Sequence, residues 1–236
     1  MEILARQLEE RAARLASASV DWMYQDPFWE ARYGAERARR FGGEDAQFHV
    51  RYLVQALTEQ RPSVQEGYAS WLRMVLVSRG MCTLHLDQNF AGLQAALATE
   101  GFGSDSPAQA YAQAAREALR YTTEPARTLQ ERAPELARHA AQALRSEVPA
   151  ALHPRLEEEL LLHLSYLADA LNLERAALFA RHLEWYQGFW PRRELGGLTL
   201  SRLEAALEAA LEATLPGQDK VKAVFTSART SKEQHA

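Results

Sequence analysis

At 236 residues, 47% of them hydrophobic and 25% charged, the chain is long enough to bury a core and ordinary in composition for a folded protein. A net charge of −4 and a pI near 6.0 supply no basic field for phosphates, which argues against nucleic acid as a partner. The single cysteine, Cys82, excludes an internal disulfide framework and fits a reducing cytosol. The N-terminal stretch mixes acids among its apolar positions and lacks the uninterrupted apolar core of a signal peptide. No run approaches the ~18 apolar residues that a membrane span needs. The expectation is a cytoplasmic chain with no membrane partner.

In chain order, nearly every segment has helical periodicity. Leu4, Leu8, Ala12 and Leu15 open with a stripe at steps of three and four. Asp26-Pro27 reads as a helix start, an acidic cap followed by proline at the first helical position, and Gly42-Gly43 as the end of that aromatic-rich helix. Three helices are expected over about 44–60, 63–79 and 83–100, punctuated by Pro62 and Gly80. The Gly/Ser/Pro-rich stretch from Gly101 to Pro107 marks the midpoint. Ala133-Pro134 reads as a cap or kink, and Val148-Pro149 and His153-Pro154 bracket a loop. Three more helices follow over about 155–172, 174–190 and 198–214, with the stripe Leu156, Leu160, Leu164, Leu167 and Leu171 on the first. After Pro216-Gly217 the sequence is polar and reads as a frayed tail. No strand alternation or Asn-Gly hairpin signal interrupts this, so the expected fold is all-α.

The chain also repeats itself. Shifting residues 49–97 by 114 positions lays them on 163–211 without a gap, with 15 identities in 49 positions. His49 falls on His163, Tyr52 on Tyr166, and Trp71 on Trp185, and these carry more weight than the leucine, alanine and arginine matches. The period far exceeds that of solenoid repeats, so the expectation is two tandem-duplicated bundle units of about four to five helices each, related by a pseudo-twofold axis. The units are placed at 1–101 and 108–215, with a flexible polar tail over 216–236.

Several residues are candidates for chemistry. His49 and His163 each lie on an apolar helix, where an imidazole serves either as a hydrogen-bonded core residue or as the axial ligand of haem or another tetrapyrrole. Glu135…His139 and Glu159…His163 share helix faces at i, i+4, whereas a di-iron carboxylate bundle uses Glu-x-x-His, a spacing this chain lacks. Cys82-Thr-Leu-His85 offers two ligands, too few for a structural zinc; the alternative is a thiol activated at a helix start. No metal site is expected. The aromatic clusters around Trp22–Tyr33 and His182–Trp190, flanked by Arg32 and Arg192, read either as core or as a pocket for a flat acidic ligand. The candidate ligand-binding residues are therefore His49, His163, Tyr52, Tyr166, Trp71, Trp185, Trp29 and Arg32. No Walker loop, dinucleotide fingerprint, nucleophile elbow, zinc-protease motif or kinase signature is present, and no catalytic residues are expected.

The pattern HVRYLVQAL…Y-x-x-W-L-x-x-x-L-x-x-R-G…L-x-L-x-x-N-F-x-x-L, residues 49–93, resembles the small helical bundles of bacterial sensory regulators. The helical halves of cobalamin-dependent regulators and globin-like sensor domains are the families it is similar to. The cobalamin family's D-x-H-x-x-G loop is absent. Helical bundles without catalytic motifs commonly serve as interaction modules, and the Ala/Leu stripe of Leu200–Leu215 suits a protein partner or a second copy as readily as a core. The leading expectation is a non-enzymatic sensor or adaptor acting through helical interaction surfaces, with small-molecule regulation as an optional addition. The alternative is a tetrapyrrole-binding protein with a histidine axial ligand. A third reading, a metal-dependent oxidase, ranks below both.

Overall fold

The structure, a computed structural model, describes residues 1–233 and is all-α: among the described residues there are twelve α-helices and no strand. They are α1 (Glu2–Glu10), α2 (Ala12–Val20), α3 (Pro27–Tyr33), α4 (Ala35–Thr58), α5 (Pro62–Val77), α6 (Thr83–Thr99), α7 (Pro107–Ala118), α8 (Ala126–Leu144), α9 (His153–Asn172), α10 (Ala176–Phe189), α11 (Leu200–Thr214) and α12 (Asp219–Glu233). No helix among them is long and apolar enough to cross a membrane.

Local chemistry sets several boundaries. The Phe28 N–H donates to the Asp26 carboxylate at 2.8 Å, and Pro27 occupies the first position of α3. Ser106 caps α7 and Thr199 caps α11 in the same way. The break after α3 falls at Gly34, whose φ of +81° suits a residue without Cβ, and not at Gly42-Gly43, which lie inside α4. Gly42 is a packing residue: a Cβ there would sit 2.9 Å from the Tyr24 hydroxyl. Pro134 likewise lies within α8 and does not end it.

The chain divides into two compact units, 1–76 with 85–120, and 77–84 with 121–236. The expected division at 101–107 is therefore displaced. α7 belongs to the first unit because polar side chains hold it there. Arg73 donates to the Leu119 carbonyl at 2.8 Å, Arg116 grips Asp87 with two bonds of 2.7 and 2.9 Å, and Gln109 donates to the Gln94 carbonyl at 2.9 Å. Segment 77–84 belongs to the second unit for the same kind of reason. Tyr166 donates to the Gly80 carbonyl at 2.8 Å, the Leu84 N–H donates to Ser165 at 3.0 Å, and Thr83 donates twice to Asp169.

In the first unit α4 is the central helix, with α1, α2, α3 and α7 packed around it. Gly92 of α6 permits close approach to α2, since a Cβ there would lie 2.2 Å from the Ser19 carbonyl oxygen. In the second unit α9 is flanked by α8, α10 and α12, and α11 packs on α8. The α9 stripe expected from sequence is buried throughout, Leu156, Leu160 and Leu167 at 0% exposure. Each such leucine contributes about 2 kcal/mol of burial energy.

Backbone features recur at the 114-residue shift. Gln60 and Glu174 both take left-handed conformations, φ 54° and 52°. The next residue closes each helix end with the same bond, Arg61 N–H to the Ala56 carbonyl and Arg175 N–H to the Ala170 carbonyl, both 2.9 Å. Gly80 and Glu194 form a second such pair, at φ 96° and 53°.

The expected polar tail is different in kind. Residues 219–233 form α12, which buries Val221, Phe225 and Ala228 against α9, α10 and α11; residues 234–236 lie outside the described residues. The apolar residues recur at steps of four and three, and the Phe225 ring lies 5.6 Å from the Phe179 ring. A Phe225→Ala change should therefore destabilise the chain by about 3 kcal/mol in urea unfolding, whereas a frayed tail would leave stability unchanged.

Candidate functional site

The two histidines matched by the repeat occupy the same place in two helical hairpins. In the first unit, His49 of α4 and Tyr68 of α5 share a hydrogen bond of 2.8 Å through the imidazole Nδ1. In the second, His163 of α9 and His182 of α10 share one of 2.8 Å, again through Nδ1. The residue one helical turn on stacks over the partner ring in both. Tyr52 lies 4.0 Å from Tyr68 at 12°, and Tyr166 lies 3.6 Å from His182 at 13°. All four hydrogen-bonded rings are buried.

Burial sets their protonation. Removal from water disfavours the charged imidazole and pushes the His49 pKa down to about 4, so His49 is neutral in the fold. Burial, with Asp45 and Tyr52 nearby, holds the Tyr68 phenol well above its usual range. The Phe90 ring lies 4.8 Å from His49, and Gln65 donates to the His49 carbonyl at 3.4 Å.

The second unit adds a buried ion pair. Arg193 Nε lies 2.8 Å from both the Glu159 carboxylate and the Tyr186 hydroxyl, and that hydroxyl donates to Glu159. Glu159 and Arg193 are each 3% exposed. Burial and the adjacent carboxylate raise the Tyr186 pKa well above its ordinary value. The Tyr186 ring also lies 4.6 Å from His163, so hairpin and ion pair form one cluster. A second buried acid, Asp169, accepts from the Thr83 N–H at 2.8 Å, from the Thr83 hydroxyl at 2.6 Å and from Tyr121.

Of the eight expected ligand-binding residues, five lie in the first unit and three in the second. His49 and Tyr52 meet in the first hairpin, with Trp71 against Tyr68 at 6.2 Å on the outer side of α5. His163 and Tyr166 meet in the second, where Trp185 stacks on Phe189 at 5.0 Å. Trp29 belongs to a separate core group, 4.7 Å from His85 and 5.4 Å from Phe28, and Arg32 is half-buried one turn along α3. Glu159 pairs with Arg193 in the core, and Glu135 pairs with Arg132 on the surface. Among the described residues no group of three or more His, Cys, Asp or Glu side chains is placed to hold a metal ion. Cys82 is fully buried, which removes the accessible thiol that an activated cysteine needs.

Sequence reasoning placed His182, Tyr186 and the neighbouring arginines in an aromatic cluster without their bonds to His163 and Glu159, and it missed the Asp169 group. The repeat carried a signal for two of them, since His182 aligns with Tyr68 and Arg193 with Arg79. It carried none for Asp169, which aligns with Gln55 and meets Thr83 across 86 residues of sequence. The arrangement can fix helices and exclude water; the matched imidazoles face no solvent from which a substrate could be drawn. Compared with models of known families, with curated proteins and with solved structures, the chain has no match.

Two stability tests follow from this geometry. Between pH 6.5 and about 4 the unfolded His49 binds a proton that the folded one does not, so stability falls as pH drops through that window. Urea unfolding at pH 7 and pH 4.5 should show a smaller loss in His49→Gln than in the parent, by up to about 2 kcal/mol. Arg193→Met strands Glu159 and should cost about 3–5 kcal/mol, and the double change Glu159→Met/Arg193→Met should recover much of it.

Proposed function

We propose that the chain is a non-enzymatic interaction protein, of adaptor or sensor type, built from a duplicated helical bundle and acting through the outer face of the α4–α5 hairpin. One observation carries this reading: Phe48, Trp71 and Met74 are 46%, 52% and 59% exposed. They are linked through the hairpin's own aromatics, with Phe48 one turn from Tyr52, Tyr52 stacked on Tyr68, and Tyr68 beside Trp71. Large apolar side chains gathered on an exposed face mark interaction surfaces, whereas scattered ones do not. At the aligned positions of the second unit stand Leu162, which is buried, Trp185, half-buried in its stack, and Gly188. The duplication is supported by the paired hairpins and by the matched left-handed residues at 60 and 174. It gives a natural history in which one unit kept a closed surface and the other an adhesive one.

A small-molecule-regulated form of this function has its own support. His49 Nε2, Gln65 Oε1 and Asn89 Oδ1 are buried in the first unit without a hydrogen-bond partner, and the aligned positions for the two amides hold Phe179 and Leu203. Such atoms suit a small polar guest better than a tetrapyrrole, which would have to part the hairpin to reach His49. Titration with haemin should accordingly give no Soret band that depends on His49 or His163.

The interaction reading is tested in the producing cell by a photo-crosslinking residue at Met74, with Gly188 as control. Position 74 should form covalent protein adducts and position 188 should not. Absence of adducts at position 74 would sink the reading.

A further inference from the structure

We propose that the interior of the first unit binds one small neutral molecule that presents two hydrogen-bond donors and one acceptor, held by Gln65, Asn89 and His49. This deepens the small-molecule form of the proposed function and rests on it. The three side chains are 0%, 3% and 0% exposed. Each keeps one buried polar atom without a hydrogen-bond partner: Gln65 Oε1, Asn89 Oδ1 and His49 Nε2. They come from three helices, α5, α6 and α4. Gln65 reaches His49 through its bond to the His49 carbonyl at 3.4 Å. Asn89 directly precedes Phe90, whose ring lies 4.8 Å from the imidazole. The three side chains therefore gather at one level of the core.

The atoms left over define the guest. The Gln65 amide gives its N–H to the His49 carbonyl, so the atom that remains is an acceptor. Asn89 Oδ1 is a second acceptor. The buried Tyr68 phenol is un-ionised, and its proton has His49 Nδ1 at 2.8 Å to donate to. Donation in that direction puts the imidazole's own proton on Nε2, which is then a donor. The guest must donate twice and accept once. Two carbonyl oxygens disfavour an anion, an N–H disfavours a cation, and burial opposes any net charge. A simple alcohol, with one donor, leaves one oxygen unmet. A water molecule meets all three atoms, the usual coordination of a buried water, and a terminal primary amide meets them too.

Buried polar atoms left unpaired are costly, and native cores keep few of them. The second unit has no equivalent of the two amides. Phe179 and Leu203 stand at the aligned positions, both fully buried. The site also adjoins the outer face of the hairpin. Tyr68, bonded to the same imidazole, stacks on Tyr52 and lies beside Trp71.

A double-mutant cycle on the full chain reads the shared guest, because two carbonyl oxygens cannot bond to each other and couple through what both of them hold. Gln65→Leu and Asn89→Leu should each lower the thermal midpoint, and the double change should lower it by clearly less than the sum of the two. In the parent chain, heteronuclear NMR should find the His49 proton on Nε2. A through-space contact from that proton to water identifies water as the occupant. An organic amide appears instead in native mass spectrometry as a fixed increment above 26.5 kDa. A His49 proton on Nδ1, amide replacements that are additive or that raise the midpoint, or an Nε2 proton with neither a water contact nor a mass increment overturns the site. A mass increment that survives both leucine replacements overturns it as well, while leaving regulation by a small molecule elsewhere intact.

Discussion

Each unit is organised around one buried hydrogen bond, between an imidazole on the first helix of a hairpin and a polar aromatic ring on the second, nineteen residues later in both cases. An imidazole inside a helical core must find a hydrogen-bond partner or bear a desolvation cost of a few kcal/mol. Meeting that demand fixes the rotation of both helices about their axes, and with it which residues face outward. The stack of Tyr52 on Tyr68, or of Tyr166 on His182, locks the second ring from the other side. The exposure of Trp71 and Met74 follows from the inward turn of Tyr68 at helical spacing.

The units differ in how they treat the space around that bond. The second unit encloses a buried acid–base pair, Glu159 with Arg193, and satisfies Tyr186 through both. Burying ions is costly and yields little net stability against an apolar core of the same volume, so such a pair serves orientation more than strength. The first unit places Asp45 at the position of Glu159 and Leu72 at that of Tyr186. Its polar surplus lies in Gln65 and Asn89, at positions that are apolar in the second unit, and its apolar surplus lies outside. The second unit uses its polar residues for internal rigidity, while the first leaves His49, Gln65 and Asn89 with unfilled hydrogen-bonding capacity inside and Phe48, Trp71 and Met74 exposed outside.

The aromatic residues of this chain show how little composition says about role. Trp29 and Trp71 look alike in sequence, each in an aromatic-rich helical segment near arginines. Trp29 is sealed against Phe28 and His85, and Trp71 stands half in solvent. The difference is made by elements distant in sequence, since α6 brings His85 to Trp29, while Trp71 keeps 52% of its surface exposed.

By itself the sequence determined the helical class, most helix boundaries, the buried stripe of α9 and the correspondence of His49 with His163, because these depend on periodicity, caps and repetition, which are local or internal to the chain. Gly42-Gly43 misled because a glycine can serve close packing as well as helix termination, and only the position of Tyr24 distinguishes the two. The tail misled because its apolar positions are few, and a helix with so narrow a stripe becomes one only against the surface that Phe179 provides. Tertiary structure alone decided where the chain divides, what became of Asp169 and the Glu159–Arg193 pair, and which aromatics remained exposed. Each of these turns on groups up to 86 residues apart meeting in space, and no spacing rule along a helix encodes such a meeting.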